Sequence, residues 1–303
     1  MTLAITGASG FVGQAMLDAL GRSGREARAL VRRIPAERPP GVEWISGSLS
    51  DPQSLDRLVE RAEAVVHIAG LTNTPDPAQF ETVNVDGTRQ MIDAARRAGV
   101  PRFVFVSSLS AREPHLSAYG ASKAKAEKLV AASGLDWTIV RPPAVYGPHD
   151  KDIFELFRAA SWGVVPLPPP GRSSLIHSTD LAEALLALVP SHEEVTHRIF
   201  EPDDGKDDGW SHRELAHVIG WAVGKRPWAP HLSRGLLERA ARVDRFLRRD
   251  KAKLTADRVG YMVHPDWVCS PRAHIPPAIW APRIPTREGM KATAQWYREA
   301  GWL

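Results

Sequence analysis

The sequence contains a single cysteine, Cys269, and no long uninterrupted apolar run. One cysteine cannot form a disulfide within the chain, so a reducing compartment such as the cytoplasm fits best. Because no apolar segment approaches the length that crosses a bilayer, neither a membrane span nor a signal peptide is indicated. The sequence therefore predicts a cytoplasmic protein, and we expect no membrane contact.

Two further kinds of partner are disfavoured by what the sequence lacks. Its 11 histidines and one cysteine show no metal-ligand spacing, such as two histidines four residues apart beside a glutamate, so we predict no metal site. The formal net charge of +4 is small and scattered, and it lacks the basic and aromatic pattern of a nucleic-acid surface. We expect no nucleic acid partner, and a small-molecule ligand that carries phosphate is sufficient to explain the charge.

The most informative feature that is present is a glycine-rich turn near the start of the chain. Residues 2–6 form a short apolar run typical of a strand, and residues 12–20 carry apolar residues at helical spacing. Between them, Gly7, Gly10 and Gly13 permit tight backbone geometry and close approach to a pyrophosphate, whose charge is attracted by free N–H groups at a helix start. The order of strand, turn and helix favours a dinucleotide site over a plain strand-to-helix turn.

A second pattern, Tyr119 followed four residues later by Lys123, predicts proton-transfer chemistry. The surrounding segment is rich in helix formers, so the two side chains share one helical face. A free phenol has a pKa of about 10 and is a poor base until a nearby ammonium favours the phenolate. Lys123 could supply that charge and also hold a ribose hydroxyl. Upstream, an apolar run ends at Ser108, which could donate a hydrogen bond to the substrate oxygen while Tyr119 exchanges its proton.

Strand-like runs alternate with helical patterns through the first half of the chain. The strand-like runs are residues 3–6, 27–31, 42–45, 64–68, 103–106 and 138–140. Strands that alternate with helices predict a parallel sheet covered on both faces. We therefore predict an α/β fold, a Rossmann-type doubly wound parallel sheet with a smaller, mostly helical C-terminal substrate lobe.

The regular alternation ends after Gly147, where the chain becomes rich in proline. The stretch 166–171 cannot lie inside a helix. We assign residues 1–147 to a nucleotide-binding Rossmann domain, whose core is also completed by about 172–202. Residues 148–171 and 203–303 are assigned to a substrate-binding lobe.

With these motifs, the chain resembles the extended short-chain dehydrogenase/reductase family, or NAD-dependent epimerase/dehydratase family, over nearly all of its length. Besides the glycine turn and the Ser-Tyr-Lys set, the resemblance is carried by residues 66–70, 84–88, 141–147, 176–182 and 296–303. The segment 253–267 is similar to the 3-beta-hydroxysteroid dehydrogenase and dihydroflavonol reductase-like branch.

The resemblance implies a catalytic triad of Ser108, Tyr119 and Lys123, with Asn84 assisting a proton relay through ordered water. Ser107 is the alternative hydroxyl, but the family's serine is usually the last of the run. The implied cofactor-binding residues are Gly7, Ser9, Gly10, Phe11, Val12, Gly13, Arg32, Arg33, Ser48, Leu49, Ala69, Gly70, Tyr119, Lys123, Pro142 and Val145. A homodimer formed by two helices of the Rossmann core is also implied.

The identity of the cofactor depends on the end of the second strand, where Arg32 and Arg33 stand. An acidic residue there would bind ribose hydroxyls and repel a 2′-phosphate, whereas arginine can bind that phosphate bidentately. We therefore expect NADP, with NAD as the second choice. Alternatively, both arginines are solvated or stack on the adenine without discriminating. Ser48 departs from the family pattern, because the family often has an aspartate there that contacts the adenine.

The residues after Ser108 argue against one reaction of the family, the dehydration of nucleotide sugars. Nucleotide-sugar dehydratases of the family carry an Asp-Glu pair directly after the catalytic hydroxyl, whereas Leu109 and Ser110 stand here. We therefore predict an NADP(H)-dependent oxidoreductase that transfers a hydride between the nicotinamide and a secondary alcohol or ketone. One alternative is a nucleotide-sugar epimerase with tightly bound NAD. The other is a non-catalytic NAD(P)-binding protein, against which the complete Ser-Tyr-Lys set argues.

The remaining candidates each have more than one interpretation. His67 and His177 lie on or beside predicted strands, and we expect satisfied core histidines or family landmarks rather than catalysts. Ten tryptophans could line an apolar substrate pocket or simply pack the lobe. The basic helical segment 232–253 could be a lid over the cleft, a surface that touches anionic lipid, or a packed helix with a solvated charged face.

Overall fold

The computed structural model describes residues 2–36, 39–249 and 252–303. Its strands are β1 (Thr2–Thr6), β2 (Glu26–Val31), β3 (Val42–Ser46), β4 (Ala64–His67), β5 (Arg102–Val106), β6 (Asp136–Val140), β7 (Ala144–Tyr146), β8 (Arg172–Ser173), β9 (Leu175–His177), β10 (Arg198–Phe200), β11 (Trp210–Ser211) and β12 (Asp266–Trp267). Its helices are α1 (Phe11–Ser23), α2 (Pro52–Val59), α3 (Ala78–Phe80), α4 (Gly87–Arg97), α5 (Ala118–Ala131), α6 (Phe154–Ser161), α7 (Ser178–Ala187), α8 (His212–Ala222), α9 (Arg234–Arg248), α10 (Ala256–Met262) and α11 (Thr286–Glu299). A π-helical segment, Glu81–Asp86, joins α3 to α4.

A seven-stranded sheet in the order β10-β6-β5-β4-β1-β2-β3 forms the centre of the fold, and all its strand pairs are parallel. Alternate residues of a strand face opposite sides of the sheet. Leu3 and Ile5 of β1 therefore join the core on the side of α1 and α7, whereas Ala4 joins the core on the side of α2, α4 and α5. The predicted α/β, doubly wound Rossmann-type class is confirmed.

Local signals in the sequence fix several helix starts. Asp51 caps α2 by accepting a hydrogen bond from the Gln53 amide at 3.2 Å, and a proline occupies the first turn. Ser211 and Glu214 form a capping box at the start of α8. In both cases a short side chain accepts a hydrogen bond from an amide that lacks a partner within the helix.

The C-terminal part of the chain builds a second group of elements around a core that contains Tyr146, Phe157 and Tyr297. Strand β9 pairs with β7 outside the central sheet. Strands β11, β8 and β12 form a separate three-stranded sheet. Strand β10 does return to the central sheet, at its edge beside β6. The exact boundaries between a Rossmann domain and a substrate lobe stay a prediction.

Among the described residues, no helix combines the length and apolar character needed to span a bilayer.

A buried arginine, Arg102, joins the start of strand β5 to the end of α7. Its guanidinium donates to the carbonyl oxygens of Leu188 at 2.5 Å and Val189 at 3.1 Å. It also donates to the Thr138 hydroxyl at 2.6 Å and to the Asp136 carboxylate at 2.9 Å. Only 3% of Arg102 is exposed, so its removal would leave the buried carbonyl oxygens of Leu188 and Val189 without this donor and Asp136 without its ion-pair partner.

We expect Arg102→Leu to lower the free energy of unfolding by about 3 kcal/mol, because it leaves buried carbonyl oxygens without this donor and the Asp136 charge without its ion-pair partner. Urea denaturation followed by circular dichroism measures the change. The matched control is Arg97→Leu, which breaks an exposed ion pair with Asp56 and should cost no more than about 1 kcal/mol. An equal decrease in the free energy of unfolding in both variants would show that the buried hydrogen bonds of Arg102 stabilise the fold no more than an exposed ion pair does.

Candidate functional site

The glycine turn between β1 and α1 has a backbone geometry that requires glycine. Gly7 has a positive φ of 76°, and its carbonyl accepts a hydrogen bond from the Gly10 amide at 2.9 Å. A Cβ on Gly13 would lie 2.1 Å from the Gly7 oxygen, and a Cβ on Gly7 would lie 2.7 Å from the Ala69 nitrogen. The turn is therefore packed against backbone on both sides, which leaves its outer face for a ligand.

The start of α1 beside this turn is open. Gly10 is the N-cap residue, and no side chain caps the helix. The amides of Phe11, Val12 and Gly13 are therefore among the donors that have no partner within the helix, and they carry the positive end of the helix dipole. These groups, with the glycine turn and the adjacent Ser9, fit a dinucleotide pyrophosphate.

Most of the other predicted cofactor residues lie at the same edge of the central sheet, because they follow the carboxyl end of one of its parallel strands. Arg32 and Arg33 follow β2 and are exposed. The remaining positions are Ser48 and Leu49 after β3, Ala69 and Gly70 after β4, Pro142 after β6, and Val145 within β7. In open α/β sheets this edge is where ligands bind. The contacts of each residue with a cofactor stay a prediction.

Tyr119 and Ser108 come together where α5 meets the end of β5. Tyr119 lies in the first turn of α5, and its phenol interacts with the Ser108 side chain. Burial raises the pKa of Tyr119 to about 12, while the interaction with Ser108 acts in the opposite direction. A Cβ on Gly120 would lie 2.7 Å from the Ser110 oxygen, so glycine at that position lets the helix approach the turn after Ser108.

Lys123 is buried one helical turn after Tyr119. Its Nζ donates to the Val106 carbonyl at 2.8 Å and lies 4.4 Å from the centre of the Phe105 ring. Burial lowers the pKa of Lys123 to about 8, and the negative charge of Glu127 opposes that shift. The ammonium is therefore held at the end of β5. Its predicted effect on the Tyr119 phenolate stays a prediction.

Ser107, the alternative catalytic hydroxyl, forms its hydrogen bond with Glu127. Its Oγ donates to Glu127 Oε1 at 2.5 Å, and Arg141 binds both oxygens of the same carboxylate at 2.8 and 2.6 Å. Ser108 is therefore the serine beside Tyr119. Sequence reasoning missed Glu127, although a helix that carries Tyr119 and Lys123 four residues apart places residue 127 on the same face.

Asn84 lies in the π-helical segment, and its side-chain amide forms hydrogen bonds with two residues. Its Oδ1 accepts from the Leu71 amide at 2.7 Å, and its Nδ2 donates to the Leu71 carbonyl at 3.0 Å and to Ser122 Oγ at 2.9 Å. Asn84 thus joins the loop after β4 to helix α5. Its predicted part in a proton relay is untested by these contacts.

Each predicted core histidine has hydrogen-bond partners. The ring nitrogens of His67 contact the Thr6 hydroxyl at 2.7 Å and the Thr88 hydroxyl at 3.1 Å, and burial lowers the pKa of His67 to about 3. His177 caps α7 by accepting from the Thr179 amide at 3.1 Å. Both geometries match structural histidines. In the described part of the chain, no group of three or more His, Cys, Asp or Glu residues is arranged to hold a metal ion.

Helix α10 contributes residues beside Tyr119 that the sequence did not identify. The ring of Tyr261 lies 6.2 Å from the Tyr119 ring, and Phe80 lies 5.7 Å away on α3. Asp257 accepts a hydrogen bond from the Ala118 amide at 2.5 Å, at the start of α5. No motif in one sequence marks Tyr261 and Asp257, because their proximity to the start of α5 arises only when the C-terminal part folds back.

Comparison with known proteins gives concordant matches. A model of the NAD dependent epimerase/dehydratase family matches residues 3–201. The ceramide reductase of Caulobacter vibrioides is 37% identical over 99% of this chain and 96% of that protein. The sterol demethylase protein B of Methylococcus capsulatus is 36% identical over 50% of this chain and 53% of that protein. The UDP-glucose 4-epimerase of Thermus thermophilus, solved in complex with NAD, matches with a TM-score of 0.72 and 23% identity, over 99% of this chain and 100% of that chain.

The chain therefore belongs to the NAD dependent epimerase/dehydratase family, which is the extended short-chain dehydrogenase/reductase group. This confirms the family predicted from the sequence motifs, and the sterol-related relative agrees with the predicted steroid-dehydrogenase-like branch. The class is that of NAD(P)-binding oxidoreductases and epimerases with a Rossmann fold.

We expect Gly13→Ala to weaken NAD(P)H binding by roughly 10- to 100-fold, because the added methyl group must displace the backbone of the turn at a typical overpacking cost of 1–3 kcal/mol. Fluorescence titration with NADPH and NADH measures the affinity. Gly21→Ala, in the same helix, is the matched control, since a Cβ there meets nothing within 4 Å. That variant should bind NADPH and NADH normally, and it should unfold at a slightly higher denaturant concentration because alanine favours the helix. Normal affinity in Gly13→Ala would contradict the assignment of the turn.

Proposed function

We propose that this protein is an NADP(H)-dependent oxidoreductase that interconverts a ketone and a secondary alcohol, by a mechanism that uses Tyr119, Lys123 and Ser108. The observation that carries the proposal is the packing of α5, which carries Tyr119 and Lys123, against the end of β5 and the turn after Ser108. Tyr119 and Ser108 lie at the sheet edge that also carries the glycine turn, with Lys123 one helical turn after Tyr119. A protein that only bound the nucleotide would not need all three groups.

The pKa of about 12 means that Tyr119 carries its proton at neutral pH. It can therefore act as the general acid in the direction of reduction, and Ser108 can orient the carbonyl oxygen by a hydrogen bond. Bound NADPH would supply the hydride to the carbonyl carbon. The Tyr119 proton goes to the carbonyl oxygen, so the products are the alcohol, NADP⁺ and a phenolate that solvent reprotonates. Lys123 would stabilise that phenolate and hold the ribose.

Charge supports NADP as the cofactor. Arg32 and Arg33 are exposed directly after β2, where the ribose end of a dinucleotide lies in Rossmann folds. Their guanidinium groups can bind a 2′-phosphate, which a carboxylate at the same position would repel.

The substrate class we propose is a ketone on a long-chain lipid. The full-length similarity to a ceramide reductase supports a lipid, and the rings of Phe80 and Tyr261 make the surroundings of Tyr119 apolar on two sides. An apolar lining favours a hydrocarbon over a sugar nucleotide, whose hydroxyl and phosphate groups need polar partners.

We expect Tyr119→Phe to abolish ketone reduction while NADPH affinity stays within about twofold, because the phenol contributes a proton and little binding. Absorbance of NADPH under single-turnover conditions measures the reaction. Tyr297→Phe is the matched control, since it removes a buried tyrosine hydroxyl in the C-terminal core. Turnover in Tyr119→Phe equal to that of Tyr297→Phe would refute the mechanism.

We expect Arg32→Gln to weaken NADPH binding by roughly 10- to 100-fold and to leave NADH binding nearly unchanged, because only NADPH loses a charge-assisted hydrogen bond. Arg22→Gln, on the exposed side of α1, controls for the change in net charge. The nucleotide that co-purifies with the protein is identified first. If NAD is tightly retained and a sugar nucleotide is turned over, the proposed reductase function is wrong and the epimerase alternative is supported.

A further inference from the structure

Helix α9 exposes an unusual amount of apolar surface. The exposed fractions are 47% for Leu236, 57% for Val243, 83% for Phe246 and 72% for Leu247. Large apolar side chains grouped in this way on one surface element indicate a binding surface, whereas single exposed apolar residues need no explanation.

The helix packs on the protein through a different face. Leu237 and Ala241 are its buried residues, and they contact Val259 of α10 in a small separate core. Leu236, Ala240, Val243 and Leu247 are spaced four, three and four residues apart, so they form a second stripe that points to solvent. Leu236 and Leu237 are neighbours in the sequence, but the structure exposes Leu236 and buries Leu237. The helix is thus packed through one face, and it exposes a stripe of apolar side chains beside its charged residues.

The charges around the exposed stripe have one dominant sign. Helix α9 contains five arginines and two acidic residues. Arg234 pairs with Glu238, and Arg248 pairs with Asp244. Arg239, Arg242 and Arg245 form no ion pair with any residue in the described ranges. Free positive charge beside an exposed apolar stripe is complementary to a surface that combines hydrocarbon with negative charge.

The helix that carries the exposed stripe is separated from the catalytic region by one element. Helix α10, on which α9 packs through Leu237 and Ala241, carries Tyr261 beside the Tyr119 ring and Asp257 at the start of α5. A lipid surface bound by the outer face of α9 would therefore lie one helix away from Tyr119.

We propose that α9 docks this protein on an anionic lipid surface, from which the lipid ketone of the proposed function reaches Tyr119. The substrate part of this inference rests on the proposed function, whereas the docking part rests on α9 alone. The sequence-based expectation of no membrane contact came from the lack of a spanning segment, but a helix that lies in the interface needs none.

The test is sedimentation of the full chain with vesicles of phosphatidylcholine, with and without phosphatidylglycerol. We expect binding only when phosphatidylglycerol is present. The double variant Arg239→Gln/Arg242→Gln should bind these vesicles roughly 30-fold more weakly, from the attraction of each arginine to an anionic surface. Phe246→Ser/Leu247→Ser should also weaken binding. Arg96→Gln/Arg298→Gln, which removes two exposed charges from α4 and α11, is the matched control and should bind like the unmodified protein.

Activity separates the two parts of the inference. The α9 variants should reduce a short soluble ketone at the normal rate and lose activity only on a long-chain keto-lipid in vesicles. Vesicle binding without turnover of either ketone would support docking and overturn the proposed function. Turnover without vesicle binding, or equal binding by both arginine double variants, would overturn docking. If the protein binds no vesicles and forms a dimer that Phe246→Ser/Leu247→Ser dissociates, docking is overturned and the stripe is an interface with a second copy of the chain.

Discussion

The buried carboxylate of Glu127 holds the catalytic region together. It accepts a hydrogen bond from Ser107, which follows β5, and its two oxygens accept from Nε and Nη2 of Arg141, which follows β6. One charge on helix α5 therefore joins that helix to the ends of two central strands. Removing one partner from such a buried pair leaves a charge without compensation, which typically costs 3–5 kcal/mol.

The same network continues into the C-terminal part of the chain. Arg141 lies 3.6 Å from Glu201, and Arg112 lies 3.3 Å from the other oxygen of that carboxylate. Glu201 also accepts from the Ser270 amide at 2.9 Å. Alternating charges thus connect α5 to the segment after β12. The charge of Glu127 also raises the pKa of Lys123 against the effect of burial. The network that holds α5 in place therefore also favours the protonated form of Lys123.

The sequence predicted the central sheet well because each strand and cap depends on local residues. The run 103–106 is apolar enough to be a strand in any neighbourhood, and Asp51 caps a helix with its own side chain. Tyr261 and Asp257 could not be found in this way, because their role depends on a contact across more than 130 residues of chain. Helix α9 shows the same limit: periodicity identified apolar residues, but only the packing of Leu237 on α10 shows which of them remain exposed.

The chain passes between its two halves more than once. Strand β10 completes the central sheet only after β8 and β9 have formed part of other sheets, and α7 packs its Leu181 and Leu185 into the core that α1 shares. In evolution, a single recombination event after β7 would therefore exchange more than the substrate-binding segments. It would also bring in the relative's α7 and β10, which must then pack on the α1 and β6 of the other parent. A chimera that keeps its own sheet edge needs crossovers on both sides of the segment from α7 to β10.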